Sequence, residues 1–159
     1  MTQVFLQDAI VDDLKNLFQH KTLVNSMGIE RALNIYEQEL PIREGDDEET
    51  DPEASPEPYI LVRMPGGEVP EQDAQQDVEI VLVICVFDPD PNRKGYRDAL
   101  HIVNAILQHY ATDGVVGKRY TVKHPIRWAT QEEDTHPYYF AAMSLHFEAP
   151  AIYREVPQT

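Results

Sequence analysis

The feature that most restricts the fold is the octet Ile80–Phe87, IVLVICVF. An unbroken apolar run of this length, mostly β-branched, reads as a strand buried on both faces. Such a strand needs cover on two sides, so the chain is expected to form one domain around it. The run passes straight into Asp88-Pro89-Asp90-Pro91-Asn92 and then into an amphipathic pattern. There Ala99, Ile102, Val103, Ile106, Leu107 and Tyr110 share one helical face. Asp90-Pro91 reads as a helix N-cap with proline at the first helical position, and Asp113-Gly114 as the stop.

The other elements are read the same way. Asp8–His20 places Ile10, Leu14, Leu17 and Phe18 at helical spacing, with acids early and His20-Lys21 late, as the helix dipole favours. Ala32–Leu40 alternates as a half-buried strand: Leu33 and Ile35 face one way, Asn34 and Tyr36 the other. Tyr59–Met64 is a second strand, with Pro65-Gly66-Gly67 as its closing turn. After the central strand and its helix, Arg119–Trp128 alternates but is interrupted by Pro125. That marks an edge strand or a bulged one. Tyr138–Phe147 is the last strand, with Tyr139, Ala141, Met143, Leu145 and Phe147 on one face. The order is α-β-β-β-α-β-β. It predicts a single α+β domain over residues 1–159, with a mostly antiparallel sheet of four to five strands packed by two main helices.

Residues Glu44–Pro58 differ in kind. They hold eight acids (Glu44, Asp46, Asp47, Glu48, Glu49, Asp51, Glu53 and Glu57), three prolines and no basic residue. Such a segment offers too little apolar surface to offset ordering entropy, so a mobile acidic loop at 44–58 is expected. The whole chain carries a net charge of −15, from 28 acids against 13 bases. That field disfavours nucleic acid and anionic membranes, which bind through Lys and Arg. Arg93-Lys94 with Arg97 is the nearest approach to a basic cluster, and Asp98 follows it.

No catalytic apparatus is expected. The single cysteine, Cys85, lies inside the apolar run and reads as a small buried hydrophobe. Asp88, Asp90 and Asn92 match the first ligand positions of an EF-hand loop. Arg93 then stands where glycine is needed and Ala99 where glutamate is needed, so a turn is expected instead. The six histidines form no i, i+4 pair, and the acidic loop lacks the fixed geometry of a cation cage. No G-x-S-x-G, P-loop or G-x-G-x-x-G motif occurs. No cofactor and no metal are expected. The N-terminus lacks a secretory pattern, and the octet is too short for a membrane helix, so a protein made and kept in a cytoplasm is expected, without a membrane partner. Outward aromatic and charged residues near the C-terminus (Arg119, Trp128, Tyr138, Phe140 and His146) are the expected contact residues of an oligomer or partner interface.

The run VEIVLVICVFDPDPNRKGYRDALHIVNAILQHY, followed by RYTVKHPIRWATQEEDTHPYYFAAMSLHFEAP, resembles the small tail-terminator and tail-completion (minor tail) proteins of long-tailed bacteriophages. The likeness lies in a hydrophobic strand, a short acidic turn, a D-x-x-x-I-x-x-x-I helix, a polar gap and two long strands ending near Pro150. It covers Val78–Pro150 best; the acidic Glu44–Pro58 insertion is not a hallmark of the family. It implies a non-enzymatic virion protein, made in the bacterial host cytoplasm and located in the virion tail. Subunits of this kind assemble as a homo-oligomeric ring, commonly of six. The ring caps the tail tube, ends tail polymerisation and offers a surface to the head connector.

A negative ring lumen would let DNA pass without tight binding. Subunits with such charge repel one another, so salt or divalent cations should favour the ring. Three other readings stand beside this one: a head-closure or baseplate component, a small-molecule-binding regulatory α+β domain, and an enzyme.

Overall fold

The structure is a computed structural model that describes residues 2–41 and 56–151. Seven of the expected loop acids, Glu44, Asp46, Asp47, Glu48, Glu49, Asp51 and Glu53, lie outside the described residues. The elements run α1 (Thr2–Leu17), β1 (Thr22–Val24), β2 (Glu30–Ala32), β3 (Asn34–Glu37), β4 (Tyr59–Glu68), β5 (Gln76–Phe87), α2 (Tyr96–Thr112), β6 (Val115–Val116), β7 (Tyr120–Thr130) and β8 (Tyr138–Ala149). The class is α+β. β1 and β2 form a small hairpin, and the remaining strands form one sheet in the order β3-β4-β5-β8-β7-β6.

This sheet has six strands and is mixed, where four to five mostly antiparallel strands were expected. β3 and β4 pair in parallel, Asn34 opposite Tyr59 and Glu37 opposite Val62. Twenty-odd residues join them, long enough for a parallel crossover that a tight turn would forbid. The hairpin β1–β2 and the two-residue β6 are too short to give a periodic signal.

The octet sits in β5, at the centre, paired over its whole length with β8 from Gln76↔Ala149 to Phe87↔Tyr138. Val78, Ile80, Leu82, Ile84 and Val86 are at most 2% exposed. Both helices pack on that face. α1 contributes Leu6, Ile10 and Leu14; α2 contributes Ala99, Ile102, Val103, Ile106 and Tyr110. α1 begins at Thr2 rather than Asp8, because Leu6 is wholly buried and the Tyr120 hydroxyl donates to the Thr2 carbonyl at 3.2 Å. His109 Nε2 meets Asp13 Oδ2 at 2.7 Å and ties the two helices together.

The expectation that the octet is buried on both faces does not hold. Val81, Val83 and Phe87, which alternate with the core residues, are only half-buried. Among the described residues no helix covers that side, and they form two layers, the sheet and the two helices on one of its faces.

Three local readings also change. Pro65-Gly66-Gly67 does not close β4; it lies within it as a bulge, where the register with β5 shifts between Arg63 and Gly66. A side chain at Gly67 would put its Cβ 2.7 Å from the Asp77 carbonyl oxygen, so glycine is what lets the strands pair there. Asp90 does not cap α2. The Asp88, Asp90 and Asn92 carboxylate or amide oxygens each accept the amide two residues on, at 3.0 Å in every case, giving three successive Asx turns. The helix starts five residues past Pro91, at Tyr96, with Gly95 as an N-cap that makes no side-chain cap. Finally, Glu57 is not a solvated loop acid. It is 3% exposed, and its Oε1 accepts the Ser26 amide at 2.9 Å.

Candidate interaction surface

Directly opposed residues in an antiparallel pair share a face. The helix-free face therefore carries the odd-numbered residues of β5 from Asp77 to Phe87 and the even-numbered residues of β8 from Tyr138 to Glu148. β4 adds Tyr59, Leu61 and Arg63, and β3 adds Asn34 and Tyr36. β7 adds Lys123 and, beyond a bulge between Lys123 and Arg127, Arg127 and Ala129.

The face is divided into two zones. The Phe87 end is apolar: Tyr59, Leu61 and Cys85 form a small buried cluster, and Tyr36, Val83, Tyr138 and Phe140 pack around it half-exposed. Ring pairs Tyr36–Tyr59 and Phe87–Tyr138 stand 6.2 and 5.4 Å apart, in tilted contact. Burial, eased by a hydrogen bond from Tyr59, pushes the Cys85 thiol up to about 12. Burial and the neighbouring Cys85 likewise raise the Tyr59 hydroxyl above its ordinary range. Cys85 is thus a neutral packing group here, 2% exposed.

The opposite end is charged. Asp77 Oδ2 meets His146 Nδ1 at 3.2 Å, and Lys123 Nζ lies 3.9 Å from both Asp77 Oδ1 and Glu148 Oε1. Ser144 Oγ donates to Glu79 at 3.2 Å. Among the described residues no group of three or more His, Cys, Asp or Glu side chains has metal-binding geometry.

The five residues singled out in the sequence do not form one patch. Tyr138 and Phe140 lie together in the apolar zone, while His146 sits in the charged zone. Trp128 opposes Met143, so it belongs to the helix-side face. On the edge strand it escapes the helices and is 52% exposed. Arg119 lies in the turn between β6 and β7, exposed, at the far end of the same edge.

A basic cluster went unread in the sequence. Residues 114–130 contain Lys118, Arg119, Lys123, Arg127 and no acid, in a chain with 28 acids. The signal was the missing acids rather than any density of bases. The fold lays this stretch along the outer edge of the sheet as β6 and β7. β6 pairs only with Tyr120 and Thr121, so from Lys123 onward no strand lies outside β7 among the described residues.

A shallow groove of about 280 Å³ runs beside this edge, lined by Arg93, Tyr96, Gln131, Asp134, Tyr139 and Phe140 among others. Arg93 and Asp134 in its lining form an exposed ion pair. That pair raises the guanidinium pKa and lowers that of the carboxyl below the usual carboxylate range.

Neither a protein-family model nor a curated protein matches the sequence. Among solved structures 31 chains match. One of them, which carries no functional description, superposes with a TM-score of 0.57 at 14% identity, covering 99% of this chain and 99% of its own. That likeness shows the fold alone. No helix among the described residues is long and apolar enough to cross a membrane.

Proposed function

We propose that the chain is a non-enzymatic virion assembly protein of the tail-terminator type: a subunit of a homo-oligomeric ring that caps the tail tube, ends its polymerisation and meets the head connector. The observation that carries this reading is the one-sided sheet. Helices bury one face of β5 completely, and among the described residues the other face carries a half-exposed apolar zone around Tyr36, Val83, Tyr138 and Phe140. Apolar surface held on a rigid sheet is the usual material of protein–protein contact. The strand–turn–helix unit of β5 and α2, followed by the long β7–β8 pair, gives the resemblance its physical frame.

The net charge of −15 supports the same reading. A ring that is negative overall gains nothing from counterion release, so DNA passes it without adhering.

The deciding experiment is mass measurement in solution from low to high ionic strength, followed by electron microscopy. Rings that form more readily with added salt, and that end purified tail tubes, are the expected result. A protein that stays monomeric at every salt concentration, or that binds duplex DNA tightly at physiological salt, would overturn the proposal.

A further inference from the structure

We infer that the open end of the seam between α1 and α2 is a binding site for a small amphiphilic carboxylate, with its apolar tail on Leu17 and Ala105 and its head among His20, Lys21 and His101. The site lies away from the sheet faces and edges, and the tail-terminator reading neither requires nor implies it.

The site follows from the unequal reach of the two helices. Asp13 of α1 meets His109 of α2, and Leu17 and Ala105 line one pocket further along the same seam. Numbers rise on one helix as they fall on the other, so the two run antiparallel. Residues four apart lie one above the other on a helix. Asp13 and Leu17 thus share one stripe, and His101, Ala105 and His109 share the facing one. α1 stops at Leu17, whereas α2 extends back past His101 to Tyr96. The chain after α1 bends away. The Phe18 amide donates to the Leu14 carbonyl and the Lys21 amide to the Phe18 carbonyl, both at 3.0 Å, and the Lys21 carbonyl accepts the Leu33 amide at 3.3 Å. A pocket of about 330 Å³ opens where α1 ends. Its floor is apolar, with Phe18 and Ile102 buried and Leu17 and Ala105 half-buried. Its rim is basic, with His20 and His101 exposed and Lys21 half-buried.

This rim is opposite in sign to the chain that carries it. With 28 acids against 13 lysines and arginines, a base on this surface has many acids to meet. Yet no acid lines the pocket, and among the described residues the side chains of His20, Lys21 and His101 make no hydrogen bond or ion pair. Acids on adjoining elements are engaged elsewhere: Asp13 with His109, and Glu30 with the Thr22 hydroxyl at 2.6 Å. His20 and Lys21 also complement the C-terminal end of α1. That role accounts for neither His101 nor the apolar floor beneath it. An ammonium and two imidazoles offer N–H donors in any protonation state of the rings, and a carboxylate accepts from several donors at once. A bare inorganic anion would leave the floor wet, and an alcohol would leave the lysine without a counter-charge. A monoanion with a short hydrocarbon tail answers both. The volume lies at the lower end of small-ligand pockets, about 300–1,000 Å³. The field of the distant acids is screened beyond roughly 8 Å at physiological ionic strength, so the rim acts locally.

The test titrates the full chain with sodium octanoate at physiological salt, read by amide NMR, beside 1-octanol and octylammonium. Octanoate should shift Leu17, Lys21, His101 and Ala105 saturably. 1-Octanol should bind about tenfold more weakly or worse, and octylammonium more weakly still. K21E/H101E should weaken octanoate by about tenfold or more. A105L fills the floor while leaving the rim intact, and should weaken it similarly. Thermal unfolding of K21E/H101E should match the wild type, since neither side chain has a partner to lose among the described residues. K21Q/H101Q serves as the milder pair if the reversal fails to fold, with a smaller loss in the same direction.

Equal binding of octanoate and 1-octanol, unchanged affinity in either variant, or the absence of any saturable shift would overturn the inference and leave the ring reading untouched. Shifts confined to the sheet face around Val83 and Phe140 would do the same. Binding of phosphatidylglycerol vesicles without binding of free octanoate would assign the rim to a membrane surface and overturn it as well. Octanoate bound here by a chain that never forms rings would overturn the tail reading alone.

Discussion

Gly95 lies directly beneath the ring of Tyr139, so close that a Cβ at position 95 would overlap the ring carbons Cδ2 and Cε2 and crowd Asp88 Cβ at 2.8 Å. The glycine is in ordinary right-handed helical conformation, with φ −60°, so space and not backbone freedom explains it. Through this contact the entry to α2 is seated on β8. His136 Nδ1, 3.0 Å from the Tyr139 hydroxyl, holds the ring from the other end. Gly95→Ala is therefore expected to destabilise the fold by about 1–3 kcal/mol through overpacking. Urea denaturation should show a lower midpoint at unchanged slope, and Tyr139→Ala in the same chain should recover part of the loss. An unaltered midpoint in Gly95→Ala would show that the turn yields freely.

The one-sided sheet makes neighbouring residues of β5 respond differently. Leu82 is wholly buried under the helices, whereas Val83 faces the open side half-exposed. Leu82→Ala should cost about 2–5 kcal/mol. Val83→Ala should cost under about 1 kcal/mol in the isolated subunit and act mainly on self-association. Denaturation of dilute monomer, paired with sedimentation at high concentration, separates the two effects. Equal losses of stability would mean that both faces are covered.

Gln7 anchors α1 to the sheet edge. Its buried amide donates to Gln38 Oε1 at 2.9 Å and to the Val62 carbonyl at 3.0 Å, and Gln38 Oε1 also accepts the Met64 amide at 2.7 Å. Gln7→Ala removes two hydrogen bonds, while Gln38 Oε1 keeps the Met64 amide and the Val62 carbonyl keeps the Gln38 amide, and should cost about 1–3 kcal/mol at roughly 0.5–1.5 kcal/mol per bond. Hydrogen exchange at Met64 should accelerate with it. Protection at Met64 that survives the substitution would argue that the network adds little.

Cys85 sets an alkaline limit. The unfolded thiol ionises at its ordinary 9.0, and burial raises the folded value to about 12. Between those values the folded chain holds a proton that the unfolded chain has lost. The stabilisation is complete below about pH 9 and is lost as pH rises towards 12, at up to about 1.4 kcal/mol per pH unit. Stability curves from pH 8 to 10.5 should be flatter for Cys85→Ala than for the wild type. Rapid labelling of the native thiol at pH 8 would contradict this burial.

The sequence was most legible where one period ran unbroken. β8 and the core face of α2 emerge within a residue or two of their observed ends, and β5 ends where its apolar run ends. Pro125 correctly marked β7 as a bulged strand, most of whose outer edge has no partner strand among the described residues. What did not show was context. A half-exposed Val83 and a buried Leu82 look alike in a run of apolar residues, so the open face was invisible. Strand direction leaves no trace in a period of two, which hid the parallel β3–β4 pair. Pro65-Gly66-Gly67 has turn chemistry, yet the pairing of β4 with β5 overrides it as a bulge. The basic edge escaped because Lys118, Arg119, Lys123 and Arg127 are spread along the chain, and only an extended strand lines them up.

The parallel pairing of β3 with β4 also limits how this chain can be shortened. β3 finishes beside Val62 while β4 begins beside Asn34, so the chain must travel back along the strand before it can re-enter the sheet. A crossover of roughly a dozen residues is the least that can do this, and residues 38–58 exceed it by several. Trimming a few acids from the middle should leave the fold intact. Replacing the whole stretch with a two-residue turn would force β3 to reverse and re-pair with opposite polarity. What topology dictates is the minimum length of this span, not the number of acids ahead of the buried Glu57.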